Sequence, residues 1–173
     1  MEIRTDRLLL RRWTDADAEP YATLCGDPEV MRYIADGSTL EPAAAVAQIE
    51  RFERHWEQYG YGLWAVEVLD SGAFVGFAGL SHPSFLPEVM PAVELGWRFG
   101  VAHWGQGYAT ESGRTALFYG FEEAGLNRVI GIADDSNTAS WRVMEKLGMT
   151  LERTTTHPGA GVPLRVYETH ALA

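Results

Sequence analysis

At 173 residues with 46% hydrophobic and 12% aromatic side chains, the chain can bury one substantial core and not two, so a single domain over residues 1–173 is expected. A formal net charge of −10 repels nucleic-acid backbones and anionic membrane surfaces, which sets both aside as partners, and it attracts cationic substrates such as amines. The single cysteine, Cys25, excludes an internal disulfide, and the apolar run Leu8-Leu9-Leu10, with arginines on both sides, is too short for a signal peptide or a membrane span; a cytoplasmic protein is expected.

In chain order, Ile3 to Trp13 reads as a strand with Leu8 and Leu10 on one face. Asp15 and Asp17 start a short helix that stops near Gly26-Asp27-Pro28. Ala45, Ile49, Phe52 and Trp56 recur at helical spacing and Pro42 suits a first turn, which predicts a helix from Pro42 to Tyr59 ended by Gly60. Gly62–Leu69 and Ala73–Leu80 are apolar strands joined by Asp70-Ser71-Gly72, a connection short enough to make them antiparallel neighbours. The proline-punctuated stretch Ser81–Pro87 reads as a loop. The strands Val93–Phe99 and Arg128–Ile132 are separated by a helix-length segment with Ala109, Ala116, Leu117, Gly120 and Phe121 on one face, and a crossover of that length means parallel strands. Asp134–Asn137 supplies capping side chains for a helix from Ala139 to Leu147, stopped by Gly148. Strands near Met149–Thr155 and Pro163–Leu172 close the chain. The expected fold is a single mixed α/β domain, with about seven mostly antiparallel strands, a central parallel pair and about four helices.

The most informative stretch is His103-Trp-Gly-Gln-Gly-Tyr-Ala-Thr-Glu111, which puts two glycines where the chain leaves a strand and starts a helix. Glycine admits close approach of a ligand to the backbone, and a first helical turn aims unpaired N–H groups outward, so phosphate is the natural guest. A dinucleotide fingerprint is excluded, because Thr110 stands where a third glycine is needed and no acid follows near Asn127. A nucleotide P-loop is excluded as well, since the only lysine, Lys146, is far from any such glycine. Locally the same two glycines also suit a plain tight turn. The five histidines (His55, His82, His103, His157, His170) show no ligand spacing, so no metal is expected.

Separated pieces of the chain together resemble the GNAT superfamily of acyl-CoA-dependent N-acyltransferases, in the branch of the bacterial ribosomal-protein N-terminal acetyltransferases. Thr5-x-Arg7-Leu8-x-Leu10-Arg11, Asp17-Ala18 and Asp27-Pro28-x-Val30 look like that branch's opening. Trp104-Gly-Gln-Gly-Tyr-Ala-Thr-Glu111 looks like its pyrophosphate loop, with Trp104 where Gln or Arg is usual, and Asn137-x-x-Ser140 with Lys146-Leu-Gly-Met149 looks like its second cofactor element. The resemblance implies acetyl-CoA as co-substrate, with the parallel strands splaying apart around the pantetheine arm. The backbone at Phe99 and Val101 would hold that arm, Asn137 would bond it from the other side, and the N–H groups of Gly105, Gln106, Gly107, Tyr108, Ala109 and Thr110 would receive the pyrophosphate. Arg114, Arg142 and Lys146 either add a phosphate contact or are solvated.

The implied reaction is acetyl transfer to a primary amine, at a protein N-terminus or on a small molecule, by direct attack in a ternary complex, with the protein a monomer or homodimer. The alternative is a catalytically silent acyl-CoA-binding sensor or interaction module. Glu94 is the first candidate base, since it borders the cofactor gap between apolar Val93 and Leu95, with Glu111, Glu168 and His157 behind it. The resemblance implies a tyrosine or a serine near the sulfur as proton donor to the leaving thiolate; Ser140 fits by motif position, and it also suits a helix start. Tyr33, Trp56, Tyr59, Tyr61, Trp64, Phe85 and Trp97 are candidates for an acceptor pocket or for the core, and His82 for its border.

Overall fold

In the computed structural model, which describes residues 1–171, the opening apolar run is two strands and not one. β1 (Glu2–Arg4) and β2 (Leu8–Arg11) form an antiparallel hairpin. The turn is closed by Thr5, whose N–H donates to the Leu8 carbonyl and whose hydroxyl accepts from the Leu8 N–H, both at 2.9 Å. β2 keeps the expected alternation, with Leu8 and Leu10 fully buried. A 3-10 turn at Asp15–Asp17 leads into α1 (Ala18–Cys25). Asp27-Pro28, read in the sequence as a stop, is also a start: the Asp27 side chain accepts from the Glu29 N–H and Pro28 opens a one-turn helix, α2 (Pro28–Met31).

α3 (Pro42–Tyr59) has the expected bounds and ends on Gly60. β3 (Leu63–Val68) and β4 (Phe74–Ser81) are the expected antiparallel pair. β3 is buried on both faces, with Trp64 and Val66 turned one way and Leu63 and Ala65 the other. β5 (Glu94–Phe99) pairs antiparallel with β4, then a 3-10 turn at Val101–His103 leads to α4 (Tyr108–Glu122) and β6 (Arg128–Asp134), parallel to β5. α5 (Thr138–Lys146), β7 (Thr150–Thr156) and β8 (Pro163–His170) follow. Leu172, the expected end of the last strand, lies outside the described residues.

The strands form one sheet of eight, in the order β1-β2-β3-β4-β5-β6-β8-β7, with β5 and β6 its parallel pair. The eighth strand comes from the split at Thr5, and the fifth α-helix among the described residues is α2. α4 packs Ala116, Leu117 and Tyr119 against Leu8, Leu10, Leu80 and Leu95 on one face of the sheet. α1 and α3 cover the other around Trp13, Tyr21 and Phe77, with Phe52 packed on them. In the middle of the sheet, where β5 and β6 diverge, a cavity opens. Among the described residues no helix is long and apolar enough to cross a membrane.

Candidate active site

β5 and β6 meet at one bridge, Glu94 opposite Ile130, where the Ile130 N–H donates to the Val93 carbonyl at 2.9 Å. Beyond it they part. The Gly100 N–H donates to the Val75 carbonyl, which makes Gly76 and Phe99 a non-hydrogen-bonded antiparallel pair and turns the main-chain groups of Phe99 and Trp97 into the gap. Asp135 N–H to Pro163 carbonyl sets the same parity between β6 and β8, so the main-chain groups of Ile132 face the gap from the other wall. The Phe99 carbonyl is already met by the Trp104 indole N–H at 2.7 Å, and the Val101 carbonyl accepts from the Trp104 N–H at 3.1 Å. Trp104, the departure from the usual loop pattern, thus secures the end of β5, while the Phe99 N–H and both Trp97 groups stay turned into the slot.

At the mouth of the gap Gly105 and Gly107 hold φ of +73° and +82°, left-handed values that glycine adopts without strain. The first intrahelical bond of α4 runs from the Glu111 N–H to the Gly107 carbonyl, so the N–H groups of Tyr108, Ala109 and Thr110 are left at the helix start. A cation that sequence reasoning passed over sits beside them. The Arg7 guanidinium donates to the Gln106 carbonyl at 2.9 Å, lies 4.9 Å from the Tyr108 ring centre and pairs with Glu111 at 2.6 Å. Glu111 also accepts from the Thr5 hydroxyl at 2.6 Å and the Arg7 N–H at 3.0 Å. Burial works against its charge, but these hydrogen bonds hold the carboxyl below its usual range. Glu111 therefore staples the β1–β2 turn to the glycine loop. Glu111→Ala is expected to lower stability by about 1–3 kcal/mol and to loosen the loop's grip on coenzyme A, checked by thermal melting and calorimetry.

A cavity of about 780 Å³ runs from this mouth to Phe52 and Phe77, with Glu94 and Ser140 on its walls. Glu94 opens into the cavity at the vertex of the diverging strands, and burial alone pushes its carboxyl up to about 8. Ser140 donates its N–H to Asn137 Oδ1 at 3.2 Å, so Asn137 caps α5. Arg142 and Lys146 line the cavity; Arg114 does not. Glu168 faces elsewhere, tied to Arg128 at 2.7 Å.

Of the candidate aromatics, Trp56 and Trp64 are core residues, 4% and 0% exposed, whereas Tyr33, Phe85 and Trp97 line the cavity. Tyr59 and Tyr61 belong to a cluster with His55 and His82, of which His82 lines the cavity. His55 Nδ1 lies 2.9 Å from the Tyr61 carbonyl and so carries the proton; His55 Nε2 then accepts from His82 Nδ1 at 3.0 Å, and the Tyr61 hydroxyl donates to His82 Nε2 at 3.3 Å. Burial holds both imidazoles below the usual histidine value. His157, in the β7–β8 loop, stacks on Phe85 at 5.1 Å. Arg98 also lines the cavity and was likewise missed; the strand alternation that places Glu94 would have placed it too. Among the described residues no group of three or more His, Cys, Asp or Glu side chains is placed to hold a metal ion.

Residues 7–150 match the acetyltransferase (GNAT) domain, and the chain belongs to that family: it is an acyl-CoA-dependent acetyltransferase. Over 166 residues it is 35% identical to the uncharacterized protein YkkB of Bacillus subtilis, covering 95% of this chain and 92% of that one. A GNAT-family acetyltransferase from Bacillus anthracis superposes with a TM-score of 0.81 at 26% identity, covering 98% of each chain. The ribosomal-protein-S5-alanine acetyltransferase of Vibrio fischeri gives 0.78 over 98% of this chain and 96% of that one, at 13% identity, a likeness of fold alone.

Proposed function

We propose that the chain transfers the acetyl group of acetyl-CoA to a primary amine by direct attack in a ternary complex. The observation that carries this is the parted β5–β6 pair, whose unpaired main-chain groups lead to the glycine-opened start of α4. The pantetheine arm takes the gap, held by the main chain of Phe99 and Val101 on one side and by Asn137 on the other. The N–H groups from Gly105 through Thr110 receive the pyrophosphate. For a chain of net charge −10, backbone dipoles are an effective source of positive potential, since an acidic side-chain inventory supplies little. Arg7, its charge met by Glu111, holds the loop in place.

When bound, acetyl-CoA supplies an activated thioester carbon and a thiolate leaving group. Glu94, at the strand vertex, takes the proton that the amine sheds. The Ser140 hydroxyl protonates the departing sulfur. Orientation of the two substrates carries much of the rate, so Ser140→Ala is expected to lower kcat by no more than about 10²-fold, with affinity for coenzyme A kept; steady-state kinetics and calorimetry check both. Similarity of the opening motif to the ribosomal-protein N-terminal enzymes supports a protein N-terminus as one acceptor class. A thiol-release assay with acetyl-CoA against peptides, polyamines and amine antibiotics tests the whole reading. Release with at least one amine is expected, whereas binding of acetyl-CoA without release would mark a silent acyl-CoA-binding module.

A further inference from the structure

Side chains two apart on a strand share a face, so β5 sets Glu94, Gly96 and Arg98 in one row, and all three line the cavity. Between the two charged residues the floor is open: a Cβ on Gly96 would meet nothing within 4 Å. At the rise of an extended strand, the Cα atoms of Glu94 and Arg98 are about 13 Å apart.

Arg98 has no counter-ion. Among the described residues its guanidinium enters no ion pair. Its Nε is buried without any partner, and Nη1 meets only the Tyr21 hydroxyl at 3.4 Å and Cys25 Sγ at 3.2 Å. The guanidinium lies 5.3 Å from the centre of the Phe77 ring, which also lines the cavity. At the other end of the row, Glu94 likewise enters no ion pair among the described residues. One cavity therefore holds an acid and an unpaired cation on the same strand face, too far apart to satisfy each other. A half-buried guanidinium without an anion carries a desolvation cost that an incoming carboxylate relieves.

We propose, building on the acetyl-transfer reading above, that the acceptor is an extended amine carrying a carboxylate at its far end. Its nitrogen lies at Glu94, its chain crosses the hollow over Gly96 and its carboxylate pairs with Arg98. This selects ω-amino acids and short peptides and disfavours polyamines and aminoglycosides, because a second ammonium at Arg98 meets like charge. The acidic surface steers cations in general, and Arg98 reverses that preference at the one place where the acceptor is chosen.

The test is thiol release from acetyl-CoA by the unaltered chain, using ω-amino acids and dipeptides, each beside its own carboxamide and a diamine of equal length. The carboxylates are expected to exceed their amides and the diamines at least about 10-fold in kcat/KM, the size of a charge-assisted hydrogen-bond pair. Which of the two series leads distinguishes a small-molecule source from a peptide one. Arg98→Met keeps the stem on Phe77 and is expected to bring the carboxylate-to-amide ratio close to one, with coenzyme A affinity measured alongside. Amides or diamines that match the carboxylates, or an R98M chain that keeps the preference, overturn the proposal while leaving acetyl transfer intact. Absence of thiol release with any amine overturns the transfer reading, and this inference falls with it.

Discussion

Gly107→Val is expected to raise the dissociation constant of coenzyme A at least about 100-fold. Gly107 holds φ +82° at the position before the first residue of α4, and a β-branched residue held there costs about 1–3 kcal/mol in strain. A Cβ would stand 3.5 Å from Arg7 Nη2, so the two γ-carbons of valine press on the guanidinium that grips the Gln106 carbonyl. Relief of either strain or clash turns the N–H groups of the loop away from a common point. At about 1.4 kcal/mol per tenfold change, the combined loss reaches two powers of ten. Gly107→Ala, which adds strain and little bulk, should lie between. Calorimetry with coenzyme A decides the matter, with thermal melting to confirm that the chain is folded; a folded valine variant of normal affinity would remove the loop from the binding site.

Glu94→Gln is expected to lower kcat/KM by about 10²- to 10⁴-fold, the usual worth of a general base. The carboxyl is pushed up to about 8 and an α-amino group titrates at about 7.7 to 8.0, so proton transfer between them is close to thermoneutral. The base acts when deprotonated, so wild-type activity should climb as pH rises through about 8. Dividing the wild-type profile by that of E94Q removes the acceptor's own ionisation and leaves the glutamate's; a ratio flat from pH 6 to 9 would sink the assignment. Stability runs the other way. A carboxyl whose folded value is raised stabilises the fold fully below its ordinary value, 4.5, and that contribution is lost as pH rises through about 8. Melts of the wild type should fall across this window more than those of E94Q.

What the sequence made legible was whatever rests on local periodicity. The helix Pro42–Tyr59 and the β3–β4 hairpin follow from spacing and turn residues alone, and the parallel pairing of β5 and β6 follows from the length of chain between them. The glycine loop was visible because two glycines between a strand-like run and a helix-like one are a mark carried by the local sequence itself. Errors arose where a local signal was absent. Thr5-Asp6-Arg7 has no glycine or proline, so Ile3–Trp13 reads as one alternating run although a side-chain hydroxyl folds it in two. Trp64 could not be separated from the cavity aromatics, since both faces of β3 are buried. Arg7 was invisible as a site residue because its partner Glu111 lies 104 residues away.

That same separation governs how the protein assembles. The ligand loop is held by residues near one end of the chain, so it cannot take its final shape by local folding, and the entropy of closing so long a ring must be met first. The diphosphate grip should be among the last features to mature. A nascent or partly unfolded molecule then cannot sequester coenzyme A, and occupancy of the loop reports on whether the two remote segments have come together.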